Sequence, residues 1–312
     1  MSLKHIMKNR ILTLCLMALL LSAATFAQDM LVGTYNIRNK NEGDSLRGEC
    51  WGKRCQVICE QVNFMAPAIF GTQEVLHVQL QDLLHGLRNY DCIGVARDDG
   101  KTKGEYAAIF YERSRIRLLS HGDFWLNETP DRPALGWDAA CIRICTWGKF
   151  KDLRSGKKFY FFNLHMDHVG RVARREAARL VVDKIREIAG KRPVVLTGDF
   201  NVDQTDEIYR IFTESGILAD SYVTAGVRFA ENGTFNAFNP LLKTSSRIDH
   251  IFLSPGMKVD AYGVLTDSYW TPNTESSASQ KASDAPQEIS FAPYTRRNPS
   301  DHYPVMVRIR WR

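Results

Sequence analysis

Apolar and polar positions repeat along this chain with two periods, and the change from one to the other marks its elements. A helical period runs through residues 51–65, 77–87 and 169–188. Leu80, Leu83, Leu84 and Leu87 share one stripe. Ala173, Ala177, Leu180, Val181, Ile185 and Ile188 share another, opposite Arg171, Arg174, Arg175 and Arg179, which read as a solvated face. These stretches predict amphipathic helices, and a shorter helix is expected near 206–215. Alternating or wholly apolar runs at 30–37, 68–72, 90–96, 106–111, 116–125, 142–151, 157–164, 193–196, 247–253, 259–265 and 303–311 predict strands. Gly156 sits in a hairpin turn over 152–157, and Pro255-Gly256 makes another. Residues 271–292, rich in Ser, Pro and Ala, predict a long surface loop. Helices set between runs of antiparallel-looking strands predict an α+β layered protein. No linker divides it, so one domain is expected over 28–312.

The start of the chain reads differently. Lys4, Lys8 and Arg10 precede an apolar run over 11–21, broken only by Thr13, and Ser22-Ala23-Ala24-Thr25-Phe26-Ala27 supplies small residues. This is the pattern of a secretory signal peptide over 1–27, cleaved near Ala27. The run is short of the ~20 residues a spanning helix needs. A periplasmic or secreted protein without stable membrane insertion is therefore expected. Leu14 before Cys15 is too large for a lipoprotein signal.

Composition adds two constraints. The formal charge is +6, and loss of the three basic leader residues lowers it to +3. That is too weak to indicate a polyanion binder by itself. Of seven cysteines, six lie beyond the leader: Cys50, Cys55, Cys59, Cys92, Cys141 and Cys145. Cys55 and Cys59 fall on one helical stripe with Ile58 and Val62, as small core residues do. Cys141 and Cys145 are too far apart on a strand to bond each other, so free thiols are expected.

The candidate chemistry collects at the ends of predicted strands. Asn36, Glu74, Asn163, His165, Asp199, Asn201, Asp249, Asp301 and His302 each follow or end an apolar run. They supply hard oxygens for a cation, amides for phosphate and imidazoles for protons. Asp199 and Asn201, two apart, are expected to point the same way on an extended segment. His250, next to Asp249, should face the opposite side of its strand. Asn163, two residues from His165, is expected to bind phosphate, and so is Arg143, whose planar fork suits that anion. Asp167 and His168 follow within reach of substrate. Trp125, Trp137 and Trp270 fit either a pocket wall or a core. No Gly-rich phosphate loop is present, which excludes a Walker-type ATPase.

The motifs Tyr35-Asn36-Ile37, Gln73-Glu74, Asn163-Leu164-His165, Gly198-Asp199-Phe200-Asn201, Arg247-Ile248-Asp249-His250 and Ser300-Asp301-His302, in this order, resemble the endonuclease/exonuclease/phosphatase superfamily over residues 30–310. The resemblance implies a four-layer α/β/β/α sandwich with two mixed, mainly antiparallel sheets. It implies Mg²⁺, with Mn²⁺ as the alternative, held by Glu74 with Asn36 beside it and Asp301 as a third ligand. Asp199 would orient the attacking water and Asn201 hold a phosphate oxygen. Asp249 would pair with His302, as acid, base or cation. His165 matches the deoxyribonuclease and sphingomyelinase branches, where it protonates the leaving group with Glu105 as its partner; the other reading of Glu105 is an exposed hairpin acid. The implied activity is in-line hydrolysis of a phosphodiester or phosphomonoester by a monomer. A small or lipid-linked substrate is favoured over duplex DNA, for which a basic track is wanting. The alternatives are a secreted nuclease and a non-catalytic binding protein. The second predicts decay of the metal and water-positioning residues, and these all remain.

Overall fold

A computed structural model describes residues 29–273, 284 and 286–311. The leader and half of 271–292 lie outside the described residues. Strands β1 (Asp29–Asn36), β2 (Ile69–Gln73), β3 (Tyr90–Ile93) and β4 (Ile109–Glu112) open the chain; β5 (Ile116–Trp125), β6 (Ile144–Asp152), β7 (Lys158–His165) and β8 (Val194–Asp199) follow. Next come β9 (Ala219–Asp220), β10 (Val227–Phe229), β11 (Asp249–Leu253) and β12 (Met257–Val264), then β13 (Tyr269–Pro272), β14 (Tyr294–Arg297) and β15 (Val305–Trp311). One sheet has the order β10-β12-β15-β1-β2-β4-β3 and the other β5-β6-β7-β8-β11-β9. In each, a parallel pair, β1 with β2 or β7 with β8, sits among antiparallel neighbours.

The sheets pack face to face over a core that includes Val32, Ile69, Ile109, Phe159, Phe161, Val195, Ile251, Val307 and Ile309. The helices Trp51–Met65 and His77–Gly86 cover the outer face of the first sheet through Ile58, Val62, Leu80 and Leu83. The helices Arg171–Ala189 and Glu207–Thr213 cover the second through Ala177, Val181, Ile185, Ile208 and Phe212. The result is the expected α/β/β/α sandwich. Central strands such as β8 are buried on both faces, which is why they read as continuous apolar runs.

Several elements differ from the sequence reading. Expected strands at 106–111 and 142–151 begin only at Ile109 and Ile144; Tyr106 instead makes isolated bridges to Val75 and Ala96. The helices Glu42–Leu46 and Ser221–Thr224, strands β9 and β10, and the hairpin β13–β14 were not anticipated, because none is long enough to display a period. On the arginine face of Arg171–Ala189, Arg171 and Arg179 are solvated as expected, while Arg174 is half-buried and donates to Asp167 O at 3.0 Å. Arg171 pairs with Glu207, and Arg179 with Glu176. All six described cysteines are free thiols.

Candidate active site

Strand parity explains why the polar side chains converge. In β1, Met30 and Val32 face the other sheet while Tyr35 and Ile37 face the helices, so Thr34 and Asn36 continue the inward set. In β7, Phe159 and Phe161 point inward and Tyr160, Phe162 and Leu164 outward, which leaves Asn163 and His165 inward. The same count places Asp199 of β8 and Asp249 of β11 between the sheets. His165 pairs with Asp199, and Asp199 with Asp249, so the three occupy one rung. His250 falls on the outer side, as expected, where it meets the Val202 carbonyl at 2.9 Å and packs on Phe200.

Beneath this rung lies a buried polar layer. Asn163 Nδ2 donates to Thr72 O at 2.9 Å and Ala108 O at 3.0 Å, and its Oδ1 accepts from Gln73 Nε2 at 2.7 Å and Thr197 Oγ1 at 3.0 Å. The expectation that Asn163 binds phosphate is therefore corrected: every polar atom it has is spent on bridging the sheets. Gly71 makes room for it, since a Cβ there would lie 2.1 Å from Asn163 Oδ1.

Above the rung opens a cavity of about 380 Å³. Glu74, Glu105, Arg143, His165, Asp199, Asn201, Asp301 and His302 all line it. Asn36 and Asp249 stand behind it, in contact with the lining residues. On the acidic wall, Asn39 donates to Glu74 Oε2 through its backbone and its side chain, each at 3.1 Å. Asn36 Nδ2 donates to Glu74 Oε1 at 3.1 Å and Asp199 Oδ2 at 3.0 Å, while its Oδ1 accepts from Arg38 N. Asn36 thus positions carboxylates in this arrangement, and would offer a cation its oxygen only after the amide turned over. Arg38 Nη1 lies 3.4 Å from Asp301 and 4.0 Å from Glu74. A positive charge already faces both carboxylates, so Glu74 and Asp301 fit a hard divalent cation. Burial pushes the Asp301 carboxyl up.

Asp199 occupies the centre. Its Oδ2 is 3.4 Å from His165 Nε2 and 3.7 Å from His302 Nε2. Burial, reinforced by Asp249, pushes its carboxyl up to about 7. His302 Nδ1 is 2.9 Å from Asp249 Oδ2, the predicted pairing. Burial opposes its charge, but Asp249 and Asp199 prevail and hold the imidazole well above its ordinary value. His165 goes the other way, held well below by burial and by Arg143 and Arg97. These causes favour the neutral imidazole in the free site. Its Nδ1 is 3.8 Å from Glu105, beyond hydrogen-bond reach, because Glu105 is taken by Arg97 and Asn39. The expected Glu105–His165 pair is corrected to proximity.

Asn201 also differs in geometry. Its φ is +51°, so the segment turns after Asp199. Its backbone N–H donates to Asp199 Oδ1 at 2.9 Å, and one amide hydrogen goes to Met166 O. On the basic wall, Arg143 is 5% exposed and donates to His168 Nδ1 at 3.0 Å, while its Nε and Nη1 have no hydrogen-bond partner. Asp167 does not face substrate; it accepts from the N–H groups of Ala140, Cys141, Val169 and Gly170. Sequence reasoning missed Arg38, Asn39, Arg97 and Phe235, which also line the cavity. Arg38 and Asn39 lie just beyond the β1 end, a usable signal. Phe235 arrives on an irregular loop, tied by an isolated bridge to His302, and had none. Trp125 supports Arg97 from below, its indole donating to Arg97 O at 2.7 Å; Trp137 packs on the outer core and Trp270 is exposed on β13.

Comparison with known proteins agrees with this geometry. The model of the Endonuclease/Exonuclease/phosphatase family matches residues 33–302. An endonuclease/exonuclease/phosphatase family protein of Bacteroides thetaiotaomicron is 48% identical, with TM-score 0.84, over 91% of this chain and 98% of that one. A mannosyl-6-phosphatase of Bacteroides thetaiotaomicron is also 48% identical, with TM-score 0.82, over 90% and 99%. An uncharacterised protein of Acanthamoeba polyphaga mimivirus is 28% identical over 162 residues, 49% of this chain, and the chain spans 60% of its length. No helix among the described residues is long and apolar enough to cross a membrane. The chain belongs to the Endonuclease/Exonuclease/phosphatase family and is a phosphoric ester hydrolase.

Proposed function

We propose that the protein hydrolyses a small phosphomonoester, of sugar-phosphate size, with Mg²⁺ held at Glu74 and Asp301. The carrying observation is the place of Asp199 Oδ2, within 3.0 Å of Asn36, 3.4 Å of His165 and 3.7 Å of His302, between an acidic and a basic wall. When bound, the cation would neutralise phosphate charge and stabilise the leaving oxygen. Asp199, fixed by Asn36 and by the Asn201 N–H, orients the attacking water. His302, braced by Asp249, directs positive charge at the phosphoryl oxygens. His165 contributes an N–H or a lone pair at the ester. Arg143, whose Nε lies 3.5 Å from Asp167 Oδ2, uses its Nη1, which has no hydrogen-bond partner, to bind a phosphate oxygen, and Asn201 has one amide hydrogen left for another.

The cavity volume, about 380 Å³, supports a small substrate; it is near the low end of ligand sites, roughly 300–1,000 Å³. The 48% identity to a mannosyl-6-phosphatase supports a sugar phosphate. Purified protein, stripped with chelator and reloaded with Mg²⁺ or Mn²⁺, should be assayed on mannose 6-phosphate, a small phosphodiester and duplex DNA at several salt concentrations. Metal-dependent turnover of the monoester is expected. Steeply salt-sensitive DNA cleavage without monoester turnover would replace this reading with that of a nuclease. The leader extends the proposal to export with cleavage near Ala27, which the N-terminal mass of the exported protein tests.

A further inference from the structure

Among the described residues, the largest fully buried side chain is a cation that touches no carboxylate. Arg54, on the helix Trp51–Met65, is 0% exposed. Its Nε donates to Glu49 O at 3.0 Å. Nη1 donates to Ile37 O at 2.7 Å and Pro299 O at 3.1 Å, and Nη2 to Arg38 O at 3.3 Å and Asn39 O at 3.4 Å. The rings of Trp51 and Phe238 lie 5.3 and 5.4 Å from the guanidinium carbon. Burying a charge is costly unless its donors are satisfied, and here backbone carbonyls alone satisfy them. Such an arrangement is a poor source of stability for a core position that an apolar side chain could fill. Its distinctive property is geometric: a planar fork holds three separate chain segments at fixed distances.

Those segments carry the acidic wall. Residues 37–39 follow Asn36 and present Asn39, which donates twice to Glu74. Pro299 precedes Ser300 and Asp301. Ser300 Oγ donates to Asn36 O at 2.7 Å, a second tie between the same segments. Arg38 itself has φ +58°, and Ala237 and Phe238 have φ +51° and +59°. The backbone around Arg54 therefore holds conformations it would not adopt unaided.

We propose that Arg54 is a positioning residue: by clamping 37–39 to 299–301 it fixes the separation of Glu74 and Asp301, and so the fit of the site to its divalent cation. This rests on the reading that those two carboxylates hold the metal. The test is Arg54→Lys, which keeps the charge but cannot reach all five carbonyls, with Arg54→Gln as a second variant. Near-ultraviolet circular dichroism checks the fold. Hydrogen exchange of metal-free protein reads the clamp directly. Calorimetric titration with Mg²⁺ alone reads the site. Expected are faster exchange confined to 37–39 and 300–301, unchanged protection in β7 and β8, and Mg²⁺ affinity weakened by roughly 10–100-fold. At saturating Mg²⁺, KM should change less than kcat. Wild-type exchange and wild-type Mg²⁺ affinity in a folded Arg54→Lys protein would overturn the proposal. So would loss of protection spread evenly over the molecule, or loss of fold in both variants, as any core residue would give. Failure of the wild-type protein to bind Mg²⁺ would overturn the metal assignment instead, and the exchange pattern would still decide whether Arg54 is a clamp.

Discussion

The space between the two sheets has an apolar end and a polar end, built by the same strands. Midway along β7 and β8 it is filled by Phe159, Phe161 and Val195; a few residues on, in the same inward positions, stand Asn163, His165, Thr197 and Asp199. All are buried, so burial does not distinguish the ends. What does is how the groups are satisfied. The apolar end gains from packing. In the layer below the rung, Asn163 has every polar atom partnered and Gln73 Oε1 is left over, whereas the rung and walls above keep more groups in reserve, among them Arg143 Nη1, His165 Nδ1 and Asp249 Oδ1. Unpaired polar atoms there are a standing cost that water or substrate offsets.

The sharpest way to break the contrast is at the acidic wall. Glu74→Gln should abolish metal-dependent turnover and remove any rise of melting temperature with Mg²⁺, while near-ultraviolet circular dichroism stays native. Full activity in that variant without added metal sinks the metal assignment. His302→Ala and His165→Ala should each lower kcat by roughly 10²-fold or more, the range for groups that move protons or oppose charge, and Asp249→Asn should reproduce part of the His302 loss. Near-normal kcat in both histidine variants would remove the imidazoles from the mechanism. At the apolar end the readout inverts. Phe161→Ala should cost about 3–5 kcal/mol in denaturant unfolding with kcat per folded molecule retained.

Smaller effects sharpen the boundary. Asn163→Ala removes its hydrogen bonds with Gln73, Thr197 and the Thr72 and Ala108 carbonyls, at about 1–3 kcal/mol. Because the side chain never reaches the cavity, KM should hold; a large KM increase would return it to the substrate. The smallest change concerns acid. Burial favours the neutral form of Asp167, yet the N–H groups of Gly170, Val169 and Ala140, with Arg143, prevail and lower its carboxyl from 3.8 to about 2. A depressed folded value means stability present above pH 3.8 and lost as pH falls through 2. Asp167→Asn should be less stable at neutral pH and lose less on acidification in that window, as melting at stepped pH would record.

Much of this was legible in the sequence because strand parity is regular. Counting by twos from Phe161 reaches His165, and from Val195 reaches Asp199, so their inward direction followed from pattern, while the register that sets them on one rung came only with the fold. Parity alone says nothing of depth, and it therefore misplaced Asn163, which points the right way but one layer too low. It also fails where the backbone leaves the strand: Asn201, Arg38 and Glu74 all have positive φ, and only the folded chain reveals where their side chains go. Arg54 was legible as one residue of a helix and illegible as a clamp, since its five acceptors are carbonyls, which every residue possesses.

The position of β15 has a consequence for synthesis. It lies between β12 and β1, in the middle of its sheet, and the segment just before it brings Asp301 and His302 to Asn36, which was made at the other end of the chain. Strand β1 therefore gains that neighbour only after β2 to β14 have been made, and the cavity lacks a wall until then. A fragment that stops after β11 carries His165, Asp199 and Asp249 but lacks Asp301 and His302. The site is complete only when the segment before β15 joins β1.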